Sequence, residues 1–195
     1  MKSMKSPLDL SCFKNNDIRG IIGQQINEHF AFLFGKAFGE HVLCASTETS
    51  LYDSAQVVIG RDNRETSLSL QKAITKGLNE SGISVIDLGM TGTEEIYFAT
   101  RHLQAIGGIQ ITASHNPINY NGMKLVGLGA SPISKNSGLD EIKRRIKILN
   151  QELNCNLPFV HAQPSNSSRS TSILAPYVDH LLSYISPSEL SPMKI

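Results

Sequence analysis

The chain has 195 residues, 40% of them hydrophobic and 6% aromatic, so it is long and apolar enough to bury a sizeable core. Its 18 Lys and Arg residues nearly balance 17 Asp and Glu, giving a net charge of +1 without the clustered basic residues of a nucleic-acid-binding surface. No apolar run approaches the ~20 residues of a membrane-spanning helix, and the basic first residues lack the apolar segment of a signal peptide.

The three cysteines, Cys12, Cys44 and Cys155, lie far apart and form no Cys-x-x-Cys pair. An odd number of widely spaced cysteines is typical of unpaired thiols in a reducing compartment, rather than of a disulfide framework or a zinc site. The sequence therefore predicts a cytoplasmic protein whose cysteines are reduced.

Apolar residues in the first half of the chain alternate between helical and strand spacing. A helical period predicts helices over 26–41 and 66–80, and short apolar runs closed by glycine predict strands at 57–59 and 83–88. A strand, a helix and a strand in this order form a right-handed unit, so we expect the two strands to be parallel.

The second half of the chain continues this alternation. Periodicity predicts helices over 93–103 and 139–149, and apolar runs predict strands at 106–112 and 123–126. These elements indicate an α/β fold: a three-layer domain with a mixed, mostly parallel sheet between helices.

Composition changes after residue 149, because 150–172 is rich in Asn, Ser and Gln and is interrupted by prolines. We therefore interpret 1–149 as one domain, 150–172 as a linker, and 173–195 as a helix and the truncated start of a second domain. Residues 192–195 suggest a strand that has just begun, so we expect the chain to stop short of that second domain.

The densest group of polar side chains follows the predicted strand 106–112. Ser114 and His115 lie at the carboxyl end of that strand, where ligands gather in α/β sheets. An Asn-Pro and an Asn-Gly turn dipeptide follow, and they can fold the chain back so that Lys124 approaches Ser114. A hydroxyl, an imidazole and an ammonium in one loop suit phosphoryl transfer, although a polar turn that only satisfies its own backbone fits equally well.

Two further clusters contain arginine. Residues 16–20 place Arg19 beside a glycine, where it can grip a phosphate, although a surface turn is the simpler interpretation. Residues 60–64 follow a predicted strand and carry two arginines suited to an anion, although a structural loop built on Asp62 and Arg64 is at least as well supported.

Together, the three clusters resemble the motifs of the α-D-phosphohexomutase family. Residues 112–124, which contain TASHNP and YNGMK, resemble its phosphoserine loop, residues 13–20 its N-terminal motif, and residues 60–64 its Gly-x-Asp-x-Arg loop. Two further stretches, 89–100 and 175–182, resemble the bacterial phosphomannomutase branch of that family. The resemblance covers nearly the whole chain.

The resemblance implies an enzyme that interconverts mannose 6-phosphate and mannose 1-phosphate through a hexose 1,6-bisphosphate and a phosphoserine. Ser114 would carry the phosphoryl group and supply one ligand of a Mg²⁺ ion. His115 and Lys124 would assist proton transfer, and Arg19 would contact the phosphoryl group. Contacts to the substrate or its phosphate are expected from three more side chains, Arg64, Asn116 and Asn121.

The chain also departs from the family pattern. Asn16 stands where family members commonly have an aromatic residue, and no Asp-x-Asp occurs that could form the family's acidic Mg²⁺ loop. We therefore expect the chain alone to be inactive. The alternatives are a family member acting on glucose or glucosamine phosphates, and a non-catalytic fragment. The expected partners are hexose phosphates, with no nucleic acid and no membrane.

Overall fold

A mixed six-stranded sheet runs through the centre of the structure, a computed structural model that describes residues 8–47, 55–154, 168–186 and 190. The strands are β1 (Ile18–Ile21), β2 (Gln56–Arg61), β3 (Ser84–Met90), β4 (Gly107–Ile111), β5 (Tyr120–Val126) and β6 (Ser168–Ser170). They lie side by side in the order β1-β5-β4-β2-β3-β6.

Helices cover both faces of this sheet. Within the described residues they are α1 (Glu28–Thr47), α2 (Ser67–Glu80), α3 (Thr93–His102), α4 (Leu139–Asn154) and α5 (Leu174–Leu182). The first two helices and α4 share one core with the sheet, whereas α3 packs on the opposite face and α5 lies against α3. The predicted α/β fold with a sheet between helices is therefore confirmed.

Strand direction places the candidate loops at one edge of the sheet. β2 pairs in parallel with β3 and β4, as the predicted strand-helix-strand unit requires, and β6 pairs in parallel with β3. β5 is antiparallel to both β4 and β1. The carboxyl ends of β2 and β4 therefore lie at the same edge as the amino end of β5, and the loops that leave β2 and β4 meet there.

The larger core lies between the sheet and helices α1, α2 and α4. Phe30, Phe34 and Phe38 are fully buried one turn apart along α1, and their successive ring centroids are 6.3 and 5.9 Å apart. A smaller core beneath α3 contains Val58 and Ile96. Because both faces are covered, the strands of the parallel half read as apolar runs without alternation.

α1 and α2 approach each other most closely at two glycines. A Cβ atom at Gly35 would overlap the carbonyl oxygen of Ile74, and one at Gly77 would overlap the carbonyl oxygen of Phe32. The close backbone contact between the helices therefore depends on the absence of a side chain at both positions.

The structure differs from the sequence expectation mainly in its edge strands. Residues 18–21 form β1, where a surface turn was the simpler prediction, and 168–170 form β6 inside the predicted linker. α4 continues five residues beyond 149, to Asn154. The predicted strand start at 192–195 lies outside the described residues.

Two sequence-wide expectations can be compared with the described part of the chain. No helix in it combines the length and apolar character needed to cross a membrane. Cys12 and Cys44 are thiols rather than disulfides, and Cys155 lies outside the described residues. Complete burial of Cys12 raises the pKa of its thiol to about 12, because desolvation disfavours the thiolate, so this cysteine is a core residue without reactivity.

Candidate active site

The loop that carries Ser114 has a defined backbone conformation. It leaves β4 through Thr112, whose N–H donates to the carbonyl oxygen of Gly122 at 2.9 Å, and it returns as β5. Ser114 has a φ of +52°, in the left-handed region that costs a non-glycine residue on the order of 1–3 kcal/mol. Its N–H donates to Thr112 Oγ1 at 2.9 Å. Ser114 is half-buried and His115 is exposed.

Arg64 holds this loop through its backbone carbonyls. Its Nη1 donates to the carbonyl oxygens of Pro117 at 2.8 Å and Tyr120 at 3.0 Å. Its Nη2 donates to those of Asn116 at 2.7 Å and Ser114 at 3.1 Å. The side chain is only 10% exposed. The guanidinium therefore holds the loop from Ser114 to Tyr120 together, and we refer to these four hydrogen bonds as the clasp.

Asp62 binds Arg64 directly, and Asn121 is linked to Asp62 through Ser67. Asp62 accepts from Arg64 Nε at 3.2 Å, from the Arg64 backbone N–H at 3.1 Å and from Ser67 Oγ at 2.6 Å. Asn121 donates to Ser67 Oγ and Thr66 Oγ1, both at 2.9 Å, and it is fully buried. The start of α2, the loop after β2 and the start of β5 are thus one hydrogen-bonded unit.

These contacts bear on two predicted substrate-binding residues. Asn121 has no exposed surface, so its amide supports the loop and does not face a ligand. The Arg64 guanidinium faces the protein backbone rather than solvent, which matches the alternative of a structural Asp62–Arg64 loop. The structure places both residues next to the serine loop, and the sequence motif did not indicate where their polar atoms point.

Arg19 joins the N-terminal cluster to the serine loop. Its guanidinium forms an ion pair with Asp17, with Nη2 and Oδ2 2.7 Å apart, and its Nη1 donates to Asn116 Oδ1 at 3.0 Å. The Arg19 side chain is 32% exposed and Asp17 is 12% exposed. Arg19 therefore keeps solvent-facing surface for an anion while two neighbours fix its direction.

Lys124 and Arg19 lie on the same face of the sheet. Arg19 is the register partner of Gly122, and Lys124 follows two residues later on β5, opposite Gln110. Since side chains two residues apart on a strand point the same way, and diagonal neighbours on paired strands are about 7–8 Å apart, the two cations border one surface. Within the described residues, the Lys124 ammonium has no hydrogen-bond or ion-pair partner.

The charge at this edge is unevenly compensated. Asp17 pairs with Arg19 and Asp62 pairs with Arg64, which leaves Lys124 and Arg61 without a carboxylate among the described residues. The Arg61 Nε is buried without a hydrogen-bond partner there. The excess of positive charge suits a phosphate dianion.

Sequence reasoning missed two groups that shape this site. Asp17 orients Arg19, and the Thr112 hydroxyl accepts from the Ser114 N–H. Both are local contacts across two residues, of the kind that Asp and Thr side chains commonly make with nearby groups. That local signal was present in the sequence, but it does not reveal which of many such residues makes the contact.

The described residues do not form a Mg²⁺ site on their own. No group of three or more His, Cys, Asp or Glu side chains that could hold a metal occurs among them. Mg²⁺ sites rely on carboxylates, and the carboxylates of Asp17 and Asp62, in the loops around the serine loop, are engaged by arginines. Ser114 would be a single oxygen ligand, so the remaining ligands would have to come from elsewhere.

Comparison with known proteins identifies the family of the chain. The family description "phosphoglucomutase/phosphomannomutase, alpha/beta/alpha domain I" matches residues 11–152. A phosphomannomutase of Salmonella typhimurium is 45% identical over 95% of this chain, which spans 37% of that relative. A phosphomannomutase sequence of Klebsiella pneumoniae is 45% identical over 87% of this chain and 98% of its own length.

A solved structure shows the same fold. The phosphoglucomutase/phosphomannomutase family protein of Burkholderia thailandensis superposes with a TM-score of 0.73 at 28% identity, over 92% of this chain and 37% of its own. The chain therefore belongs to the phosphoglucomutase/phosphomannomutase family and contains the α/β/α domain I of that family. It spans 37–38% of the length of the first curated relatives that it matches.

Proposed function

We propose that this chain provides the phosphoserine domain of a phosphohexomutase that interconverts mannose 6-phosphate and mannose 1-phosphate, with Ser114 as the phosphoryl carrier. One observation carries the proposal: Arg64 holds the backbone of the loop that contains Ser114, and the partly exposed Arg19 donates to Asn116 of the same loop. The names of the phosphomannomutase relatives support mannose as the sugar.

Two phosphoryl transfers make up the proposed reaction. In the first, the bond between phosphorus and Ser114 Oγ breaks as a bond to a sugar hydroxyl oxygen forms, giving a hexose 1,6-bisphosphate. The sugar hydroxyl loses a proton to a nearby base, and Ser114 Oγ gains one. In the second, the bond between the other phosphorus and its sugar oxygen breaks as a bond to Ser114 Oγ forms; Ser114 Oγ gives up its proton and the sugar oxygen takes one. We assign the proton transfers to His115, the neighbour of Ser114 in the chain, and to Lys124, which lies on the adjacent strand β5.

Positive charge supports both transfers. A phosphoserine carries roughly −1.5 to −2 charges at neutral pH, and the transferred group keeps its negative oxygens throughout. Arg19 offers a planar, partly exposed guanidinium, and Asn116 holds it in place. Lys124 adds a charge without an ion-pair partner among the described residues.

We infer that residues 1–195 alone have negligible turnover. The described residues contain no metal cluster, and the chain spans 37% of the Salmonella relative. Orientation of a substrate can supply about 7–11 kcal/mol of a barrier, and the part of the relatives beyond this chain is the proposed source of that orientation.

A fusion enzyme tests the proposal. Residues 1–195 are joined to the remaining part of the Salmonella typhimurium phosphomannomutase, and turnover of mannose 1-phosphate is measured with Mg²⁺ and a hexose 1,6-bisphosphate activator. We expect activity, phosphate on Ser114 by peptide mapping, and loss of both in Ser114→Ala. The exposed Ser131 provides a matched control, since Ser131→Ala removes a hydroxyl of the same kind outside the site.

Three results would each contradict one part of the proposal. Phosphate found on another residue, with Ser114→Ala fully active, would exclude Ser114 as carrier. A preference for glucose or glucosamine phosphate over mannose phosphate would replace the proposed sugar while keeping the carrier. Normal turnover from residues 1–195 alone would show that the chain needs no further segment.

A further inference from the structure

The Arg64 guanidinium has no donor left for a ligand. An arginine side chain carries five N–H groups in a fixed planar fork. In this structure Nε donates to Asp62, and Nη1 and Nη2 each donate to two backbone carbonyl oxygens of the loop after β4. Five donors thus meet five acceptors, at 2.7 to 3.2 Å.

The four carbonyl oxygens that accept from Arg64 belong to Ser114 and to three residues that follow it in the same loop. They point inward from Ser114, Asn116, Pro117 and Tyr120, so the loop backbone curves around one cation. Four carbonyl dipoles converging on one point repel each other unless a positive charge lies between them. The Arg64 guanidinium supplies that positive charge.

Ser114 is in a conformation that needs outside support. Its φ of +52° is unfavourable for a residue with a Cβ atom, and such residues persist where the surrounding structure over-determines them. Within the loop, the Ser114 N–H donates to Thr112 Oγ1, and the Asn116 N–H donates to the carbonyl oxygen of Ala113 at 3.0 Å, which closes a turn across Ser114. The bond from Arg64 Nη2 to the Ser114 carbonyl oxygen fixes the other side of the same residue.

We infer that Arg64 is a positioning residue, which holds Ser114 in its left-handed conformation and keeps the phosphoryl-carrying oxygen in one place, and that it does not bind the substrate phosphate. The inference rests on the proposed function only in taking Ser114 as the phosphoryl carrier, because the contacts of Arg64 with the loop are independent of that role. A phosphoryl group that arrives and leaves changes the local charge by nearly two units. The clasp keeps the backbone unchanged through that cycle.

Lysine at position 64 separates this role from phosphate binding. Lysine keeps the positive charge but offers three donors from one point, so it cannot span four carbonyls and a carboxylate. A residue that only attracted phosphate would retain most of its effect as lysine. A clasp would lose most of its effect in Arg64→Lys as well as in Arg64→Ala.

Hydrogen exchange of residues 1–195 provides the first measurement. We expect amides of the loop 113–120 to exchange at least about tenfold faster in Arg64→Lys than in the wild type, with exchange in α1 and α4 unchanged. Arg61→Lys is the matched control. Arg61 is the last residue of β2, and its guanidinium donates to the Asp62 carbonyl oxygen and not to the serine loop. We expect wild-type exchange in it.

NMR of Ser114 provides a signature that a general loss of stability does not produce. A positive φ brings a residue's own amide and alpha hydrogens close together, so the wild type should show a strong intraresidue cross-peak for Ser114. We expect that cross-peak to weaken in Arg64→Lys while the β-sheet signals keep their positions. Arg64→Ala serves as the second variant if Arg64→Lys is unfolded.

Kinetics of the fusion enzyme complete the test. A positioning role predicts that Arg64→Lys lowers kcat at least about tenfold with KM for mannose 1-phosphate changed less than threefold, whereas phosphate binding predicts a raised KM. Wild-type exchange and an unchanged Ser114 cross-peak in both Arg64 variants would overturn the inference. Failure of Ser114 phosphorylation with the clasp intact would overturn the proposed function alone.

Discussion

Arg19 and Arg64 are both arginines of the serine-loop region, but their exposure gives them different roles. Arg19 is 32% exposed and forms contacts with Asp17 and Asn116, whereas Arg64 is 10% exposed with its donors fully used. Of the two arginines, Arg19 therefore keeps surface that an anion could reach, and the proposed function assigns the phosphoryl contact to it.

Removing the charge of Arg19 should affect phosphoryl transfer directly. In the fusion enzyme we expect Arg19→Gln to lower kcat about 10²–10³-fold, because a donor aimed at developing charge is lost from the transition state. Arg101→Gln is the matched control, since Arg101 is exposed on α3. Steady-state kinetics of both variants check this, and equal effects of the two substitutions would contradict it.

The buried thiol of Cys12 predicts a specific pH dependence of stability. Its pKa is raised from 9.0 to about 12 by burial, so above pH 9 the unfolded chain releases a proton that the folded protein keeps. The free energy of unfolding should therefore fall as pH rises from 9 towards 12, with about 1.4 kcal/mol lost between pH 8 and pH 10.

Urea unfolding of the wild type and two variants measures the contribution of the Cys12 thiol to this pH dependence. The loss between pH 8 and pH 10 should be smaller by about 1.4 kcal/mol in Cys12→Ala, which has no thiol to ionise there. Cys44→Ala removes an exposed thiol and should keep the wild-type dependence. An identical pH dependence in Cys12→Ala and the wild type would refute the assignment.

The sequence predicted which residues gather at the site better than what they do there. Motif order named Arg19, Arg64 and Ser114 as site residues, and the structure brings all three to one loop region. The division between Arg64 and Arg19 could not be predicted. It depends on the carbonyl directions of a loop whose backbone includes a positive φ at Ser114.

At the scale of elements, the crossing of α1 and α2 is the most constrained contact. We expect Gly77→Ala to lower the free energy of unfolding by about 1–3 kcal/mol, because its Cβ atom would overlap the backbone carbonyl of Phe32 and force the helices apart. Better helix propensity of alanine offsets about 1 kcal/mol at most. Chemical denaturation measures the net effect.

A control on the same helix isolates the packing effect. Lys72 is exposed on α2, so Lys72→Ala should change the free energy of unfolding by less than about 0.5 kcal/mol. If Gly77→Ala were as stable as Lys72→Ala, the backbone contact would not limit the helix separation. A stabilised Gly77→Ala would point to the same conclusion.

Helices and central strands could be predicted from the sequence, whereas edge strands could not. The buried strands β2 and β4 and the amphipathic α2 carry strong apolar patterns, since their burial dictates residue type. β1 contains an arginine and a glycine, and β6 consists of exposed Ser-Arg-Ser. Such segments become strands because a neighbour offers backbone partners, and local sequence does not record that neighbour.

In the molecule as a whole, α5 and the turn that follows it, up to Ile185, present apolar side chains to solvent. Leu182 is 46% exposed, Ile185 47% and Tyr184 73%, although the helix touches α3 through Phe98 and Tyr177. An apolar surface of this kind favours association between copies. We therefore expect residues 1–195 to form reversible oligomers as protein concentration rises.

Polar substitutions at the end of α5 and in the turn after it test whether this surface causes the association. The double variant Leu182→Gln and Ile185→Gln should remain monomeric at concentrations where the wild type associates, as measured by light scattering after size exclusion. Leu68→Gln is the matched control, because Leu68 is 45% exposed on α2, away from α5. Association that persists in the double variant would show that another surface is responsible.

The short strands at the borders of the sheet determine what kind of association is available. β1 has four residues and β6 has three, so each border offers an incoming polypeptide only a brief row of backbone donors and acceptors. Growth by intermolecular strand addition, the route to amyloid fibres, is thereby restrained at both borders. We therefore expect aggregates of this chain to be held together by contacts between side chains. They should dissolve in mild detergent and should not increase the fluorescence of thioflavin T.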